Sequence, residues 1–293
     1  MSFILRNMEL KVYLTENKKT LDVFDRPFYP TKVHNVTLTS NPKEANFILC
    51  QLKGNQKTHY DGVIKTDLFK QYGDKFVFYV NNDHPEFLYR EKDSIKLVAQ
   101  PAHTKDVLDL HNITTIPLLM TDHLDFHLDS TLMEECRNVK KEYDYIYMGQ
   151  LYGDRLKLKS LRLDKFYLKT SSDIYHLPTV SKQNKIKNYL KELGKGKFGF
   201  CPRGGGSNSF RLYECLMVGV VPIITDVIQL PFTDEVNWDE FSIVGSMRNV
   251  DKLIEKSKSI DYKLYRQRGI DFWEKYCKYY NMNDMIINKI QNG

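Results

Sequence analysis

Strand-sized apolar runs and helix-like stretches take turns along almost the whole chain, and that alternation constrains the fold more than any other feature of the sequence. In the first half, LKVYLT (10–15), NFILCQL (46–52), KFVFYVN (75–81), IKLVAQ (95–100) and TTIPLL (114–119) are rich in β-branched and aromatic residues and short enough to be strands. IKTDLFKQYG (64–73) lies between two of them and closes on Gly73, as helices often do. STLMEECRNVKKE (130–142) opens on Ser130 with Glu134 close behind, a helix start that leads into the second half. There the alternation is clearer: strands at 143–149, 165–170, 197–201, 220–225 and 241–244, with helices at 154–163, 180–194, 208–219 and 250–259. Strands joined through helices pair in parallel, because only a crossover connection reaches a parallel neighbour. Each half therefore reads as an α/β unit, and the second as a doubly wound sheet.

A chain of 293 residues accommodates two domains of about 130–150 residues, each able to bury its own core. We place the first at 1–140 and the second at 141–260. The remainder, 261–293, is helical and rich in aromatic residues, and is expected to pack back across both. Hydrophobic content of 42% and charged content of 27% are those of a folded globular protein, so disorder is not indicated. The net charge of +6 comes from scattered lysines, with no arginine-rich stripe or base-stacking motif, which argues against a nucleic-acid partner. Five widely spaced cysteines (50, 136, 201, 215 and 277) lie in mostly apolar stretches and read as reduced core residues. The opening MSFILRNMELKVYLTEN is interrupted by Arg6 and Glu9, so it reads as neither signal peptide nor anchor, and no other run is long enough to span a bilayer. A soluble, cytoplasmic protein is the expectation.

The stretch with the most chemistry is CPRGGGSNSFRLYE, Cys201 to Glu214. It leaves a strand, passes Arg203 and the glycines 204–206, and enters a helix near Asn208 or Ser209. In open α/β sheets ligands sit at the carboxyl ends of strands, where such loops lie. Glycines allow backbone N–H groups to approach an anion, the helix N-terminus adds partial positive charge, and Arg203 adds a fixed cation. The Walker pattern is excluded, because Ser207-Asn208 follows the last glycine where Lys and Ser/Thr are required. The G-x-G-x-x-G fingerprint fails as well, since Ser209 stands where its final glycine would be. Taken alone, the glycines are equally compatible with a flexible strand-to-helix connection. Ser207, Arg211 and Glu214 fall at i, i+4 and i+7 and share a helix face, with Arg211 suited to a phosphate oxygen and Glu214 to vicinal ribose hydroxyls. The same spacing also describes a surface Arg–Glu pair.

FCPRGGGSNSFRLYECLMVGVVPIITDVIQLPF, followed by NWDEFSI, resembles the signature of the exostosin-type glycosyltransferases of family 47 over about 45 residues, Phe200 to Ile243. YMGQLYGDRLKLKSL and TTIPLLMTD are similar to further segments of that family, more loosely. The resemblance implies a GT-B fold of two Rossmann-like domains facing a cleft, with the donor bound by the C-terminal domain and the acceptor side formed by the N-terminal one. It implies an inverting transfer from a UDP-sugar, with UDP-xylose as the best guess, to an oligosaccharide or other glycan hydroxyl in β linkage. On this sequence it places Arg203 and Ser209 on the diphosphate with Arg211 nearby, Glu214 on the ribose, and Arg155 as a further phosphate ligand. Gly204, Gly205, Ser207 and Asn208 complete the loop. With no stem or anchor expected, the chain is similar to compact members of the family in bacteria and in large viruses of algae, one of which is a xylosyltransferase.

Fixed cations and a helix N-terminus can stabilise departing UDP without a metal, and no Asp-x-Asp occurs in the chain, so no cofactor or metal ion is expected. Inversion needs a base on the N-terminal side. Asp83 and His84, after strand 75–81, and Asp122 and His123, after strand 114–119, are the candidates, with Asp83 preferred. Asp83 and His84 are also placed to cap the turn before Pro85. His123 and His127 have a metal-compatible spacing but no evident third ligand, and read as part of a loop bordering the acceptor. A catalytically inactive nucleotide-sugar or glycan-binding module on the same fold is the alternative function.

Overall fold

The computed structural model describes residues 9–15, 35–52, 56–79, 97–100, 113–117, 130–170, 179–204, 208–227 and 229–292. The chain divides into two compact units, Met1–Pro117 with Lys278–Gly293, and Leu118–Cys277. Each has one sheet, and every recorded strand pair in both sheets is parallel. The chain is therefore an α/β protein of two Rossmann-like units, as its alternation predicts.

The first sheet has the order β2-β1-β3-β4-β5-β6, built from Glu9–Leu14 (β1), Asn35–Leu38 (β2), Phe47–Gln51 (β3), Phe76–Tyr79 (β4), Leu97–Gln100 (β5) and Ile113–Thr115 (β6). β2 is absent from the sequence reading because NVTL is short and half polar, as an edge strand is free to be. Helix Gln56–Val63 (α1) was likewise hidden by its polar composition. The expected helix at 64–73 is Asp67–Tyr72 (α2), started by Thr66, whose hydroxyl accepts from the Phe69 N–H at 3.2 Å. Gly73 does not close it in a left-handed conformation: its φ is −53°, and the chain runs on into a tight turn, Gly73–Lys75. Ile48, Cys50, Phe76 and Phe78 from the sheet pack with Tyr60 and Phe69 from these helices. Tyr60 meets Phe78 edge-on at 5.1 Å, and Phe69 meets Phe76 in the same way at 5.0 Å.

The second sheet has the order β11-β10-β9-β7-β8: Tyr143–Met148 (β7), Phe166–Lys169 (β8), Gly196–Pro202 (β9), Val221–Thr225 (β10) and Ile243–Gly245 (β11). From β7 the chain goes outward to β8, then returns to the opposite side of β7 to lay down β9. The order reverses between β7 and β9, and such a switch point is where an open parallel sheet offers a ligand crevice. Helices Ser130–Arg137 (α3), Thr179–Gly194 (α4), Phe210–Met217 (α5), Val250–Ser259 (α6) and Tyr262–Phe272 (α7) belong to this unit, and Tyr279–Asn292 (α8) groups with the first. The expected helix at 154–163 is instead a 3-10 run, Gly153–Ser160. Its leucines at 156, 158, 161 and 163 recur mainly every second residue, a spacing that gives no continuous face on an α-helix, and within the run only Leu158 is buried. Phe200, Ile223 and Ile243 from three adjacent strands are fully buried in the unit's core, each stabilising it by about 1.5–3 kcal/mol. All five cysteines are buried. Among the described residues, no helix is long and apolar enough to cross a membrane.

Candidate functional site

β9 delivers the chain to the switch point, and its last residues are fixed on both sides. Arg203 N–H donates to Thr225 O at 3.1 Å, tying the start of the loop to the end of β10, and Gly204 N–H donates to Asn208 O at 2.7 Å, closing it. Gly205 and Ser207 lie outside the described residues. Asn208 is fully buried: its Oδ1 accepts from the Ser209 N–H at 2.7 Å and its Nδ2 donates to the Tyr213 hydroxyl at 3.2 Å, so its amide holds the loop's shape from within. Ser209 is the N-cap of α5, yet its hydroxyl makes no capping bond, and the first turn carries no acidic residue. The positive end of this helix is left uncompensated by its own side chains, the condition under which it attracts an anion.

Arg155 sits at the start of the 3-10 run that follows β7. Its Nε and Nη2 donate to the carbonyl of Arg203 at 3.0 and 2.9 Å, its Nη1 reaches Gln150 O at 3.4 Å, and its guanidinium lies 4.6 Å from the Tyr152 ring centroid. It thus ties the loop after β7 to the loop after β9, across the switch point. The Arg203 side chain itself is exposed beside this clasp.

Arg211, the second residue of α5, and Glu214, a turn further on, come together, but not as a surface pair. Glu214 is buried. The Tyr189 hydroxyl, from α4, donates to Glu214 Oε2 at 2.5 Å and accepts from Arg211 Nε at 3.3 Å. The Arg211 guanidinium lies 4.7 Å from the ring centroid of Tyr147, whose own hydroxyl donates to Gln150 O at 2.7 Å. Its terminal nitrogens rest on Gly149, at the carboxyl end of β7: a Cβ there would come within 2.5 Å of Nη2 and 2.8 Å of Nη1. Burial opposes the charge on Arg211, and the surrounding Tyr189, Glu214 and Tyr147 more than offset it, so the guanidinium holds its proton above its ordinary range. Burial likewise pushes the Tyr189 phenol well above the usual tyrosine value, so it stays protonated and able to donate and accept at once.

The segment after β10 is held as firmly. Asp226 (φ 59°) and Phe232 (φ 61°) both adopt left-handed backbone conformations, which side-chain-bearing residues rarely take. The Asp226 carboxylate accepts from the Ser246 hydroxyl at 2.7 Å and the Met247 N–H at 2.9 Å. At the other end, Trp238 Nε1 donates to Pro231 O at 2.9 Å, and Phe232 stacks on Tyr276 at 5.0 Å. The Leu-Pro-Phe and Trp positions of the sequence signature are therefore braces for this loop.

Of the residues singled out in the sequence, the structure brings Arg203, Gly204, Asn208, Ser209, Arg211 and Glu214 to one end of one sheet, with Arg155 clasping the same loop. Asp83, His84, Asp122, His123 and His127 lie outside the described residues. Tyr147, Gly149 and Tyr189 were missed. Tyr189 carried a usable signal, since it falls on the same face of α4 as the buried Ile186 and Leu193 in an otherwise Lys-rich and Asn-rich helix.

A family model described as the exostosin GT47 domain matches residues 2–260. Among curated proteins the chain is similar to a "probable glucuronoxylan glucuronosyltransferase" of Arabidopsis thaliana, 36% identical over 77 residues that make up 25% of this chain and 16% of that protein. It is similar to a second Arabidopsis thaliana protein of the same description, 38% identical over 72 residues, 24% of this chain and 16% of that one. A "probable glucuronosyltransferase" of Oryza sativa subsp. japonica is 37% identical over 83 residues, 27% of this chain and 20% of that protein. The matched stretches thus span no more than 20% of the length of these relatives. Among solved structures, that of the DNA-modifying enzyme β-glucosyltransferase is similar with a TM-score of 0.45 and 12% identity, covering 97% of this chain and 100% of that one.

Proposed function

The chain belongs to the exostosin GT47 domain family, and from that premise we propose that it transfers a sugar from a UDP-sugar to a glycan hydroxyl. The observation that carries this reading is the partly buried Arg211–Tyr189–Glu214 group beside the uncompensated N-terminus of α5, at the switch point of the second sheet. In the proposal, the diphosphate lies against the first turn of α5, with Arg203, Ser209 and the backbone of Gly204, Gly205, Ser207 and Asn208 around it and Arg211 completing its neutralisation. Glu214 accepts from the ribose hydroxyls. Arg155 acts by holding the Arg203 carbonyl, and so aims the loop at the diphosphate.

The reaction then follows from charge. An acceptor hydroxyl oxygen attacks the anomeric carbon as the bond to the diphosphate oxygen breaks. The electron pair goes to UDP, and the acceptor proton goes to a carboxylate or imidazole on the opposite side. Asp83 is the proposed base, with His84 and Asp122 as the other residues to test. Attack opposite the leaving group inverts the anomeric centre and gives a β bond from an α-linked donor. Fixed cations aimed at charge that develops in the transition state lower the barrier without reorganising. Since Arg203, Arg211 and a helix terminus supply that charge, activity is expected to persist in excess EDTA.

UDP-xylose is the donor proposed from the sequence, and the names of the plant relatives put UDP-glucuronate beside it. A panel of UDP-sugars, with UDP release read with and without oligosaccharide acceptors, tests the reading. Acceptor-dependent release from one donor supports it. UDP binding with no turnover on any acceptor would favour an inactive binding module on the same fold.

A further inference from the structure

We infer that Tyr189 is a positioning residue that couples the carboxylate of Glu214 to the guanidinium of Arg211, so that the nucleoside and diphosphate halves of a donor are recognised as one unit. The inference rests on the donor site proposed above. Arg211 and Glu214 are three residues apart on α5, close enough for the two charged groups to close on one another directly. The phenol of Tyr189 stands between them, donating to Glu214 Oε2 at 2.5 Å and accepting from Arg211 Nε at 3.3 Å. With Nε engaged there and its face against Tyr147, the guanidinium is turned so that Nη1 and Nη2 rest over Gly149, at the carboxyl end of β7. A neutral group that donates and accepts together can hold an anion and a cation apart in fixed orientations, and a phenol kept protonated by burial does so across the working pH range. Tyr189 comes from α4, on a different helix from both partners, so the orientation of Arg211 depends on how α4 and α5 pack.

The coupling is tested with a probe that Glu214 does not touch. Inorganic pyrophosphate has no ribose and is repelled by a carboxylate, so Glu214 can favour its binding only through Arg211. Affinities for UDP, uridine and pyrophosphate are measured for the wild type, Tyr189→Phe, Glu214→Gln and the double variant, together with donor KM and kcat. Tyr189→Phe is expected to weaken both UDP and pyrophosphate on the order of tenfold. Donor KM should rise, and kcat at saturating donor should fall as well, because Arg211 is placed to meet charge that develops in the transition state. Glu214→Gln should weaken pyrophosphate in the wild type but not in the Tyr189→Phe background, the non-additivity of residues that act through one another. If Tyr189→Phe does not fold, Arg211→Lys keeps the charge, removes the Nε donor, and should abolish the effect of Glu214→Gln on pyrophosphate in the same way. Unchanged UDP affinity in Tyr189→Phe, or a loss confined to uridine, overturns the inference and leaves the donor site standing. A wild type that binds no UDP overturns both.

Discussion

Arg211 carries its charge where burial disfavours it, and three neighbours make that tolerable: a phenol, a carboxylate and an aromatic face. A fourth contribution is an absence, the missing side chain at Gly149. Because a Cβ there would come within 2.5 Å of Arg211 Nη2, Gly149→Ala is expected to push the guanidinium off the Tyr147 ring. UDP affinity should fall about tenfold or more, the scale of a lost charge-assisted hydrogen bond, and the unfolding midpoint should fall too, because the backbone at Gly149 (φ 158°) is one that side-chain-bearing residues rarely adopt. Titration of the variant with UDP beside a thermal melt checks this. At the residue scale the sequence showed half of the group. Arg211 and Glu214 were legible because helix geometry makes residues three apart neighbours whatever the fold. Tyr189 and Tyr147 are 22 and 64 positions from Arg211, and only the sheet order and the packing of α4 on α5 bring them in.

The two ends of α5 are treated in opposite ways. At its C-terminus the last four carbonyls, Glu214 to Met217, all accept: Val218 and Gly219 N–H donate to Glu214 O and Leu216 O, and Val220 N–H returns to Cys215 O at 2.9 Å around Gly219, which takes the left-handed conformation (φ 68°) that such a stop requires. Arg137 Nε donates to Met217 O at 2.9 Å, and Lys141 Nζ donates to Gly219 O at 3.2 Å and to Gly194 O, at the end of α4, at 2.6 Å. At its N-terminus there is neither an acid in the first turn nor a side-chain cap. Lys141 makes the first arrangement testable. Burial first, and then the charge of Arg266, lower its pKa from 10.5 to about 7. Between those values the unfolded chain binds a proton that the folded chain does not, so stability rises with pH through that window. Below about 7 both states are protonated and the slope vanishes. Urea unfolding of the wild type from pH 7 to 9 should therefore show a gain, at most about 1.4 kcal/mol per pH unit, that Lys141→Met lacks. Equal slopes in the two proteins would remove Lys141 as the cause. Elements of this kind were mostly legible, because alternating strands and capped helices are local patterns. The 3-10 run Gly153–Ser160 and edge strand β2 were not, the first for want of a helical period and the second for want of apolar residues.

At the scale of the whole molecule, two parallel α/β units follow from alternation alone, because a parallel sheet is the arrangement that helical crossovers permit. The second unit was the more legible one, since its signature from Phe200 to Ile243 mixes loop, helix cap and braces in a fixed order that chance does not readily reproduce. In the first unit, generic strand patterns carry no such order, and the choice of base rested on position alone. Asp83→Ala is expected to abolish turnover and leave UDP affinity within about twofold of wild type, since a general base acts in the transition state and not on the bound donor. A fall in UDP affinity would remove Asp83 from that role. We propose that the second unit binds UDP through the loop after β9 and the face of α5. Calorimetric titration of UDP into the wild type and into Glu214→Ala tests it most directly. A saturable single site in the wild type, weakened at least tenfold in the variant, is the predicted result; no binding to the wild type, or equal binding to both, would contradict it.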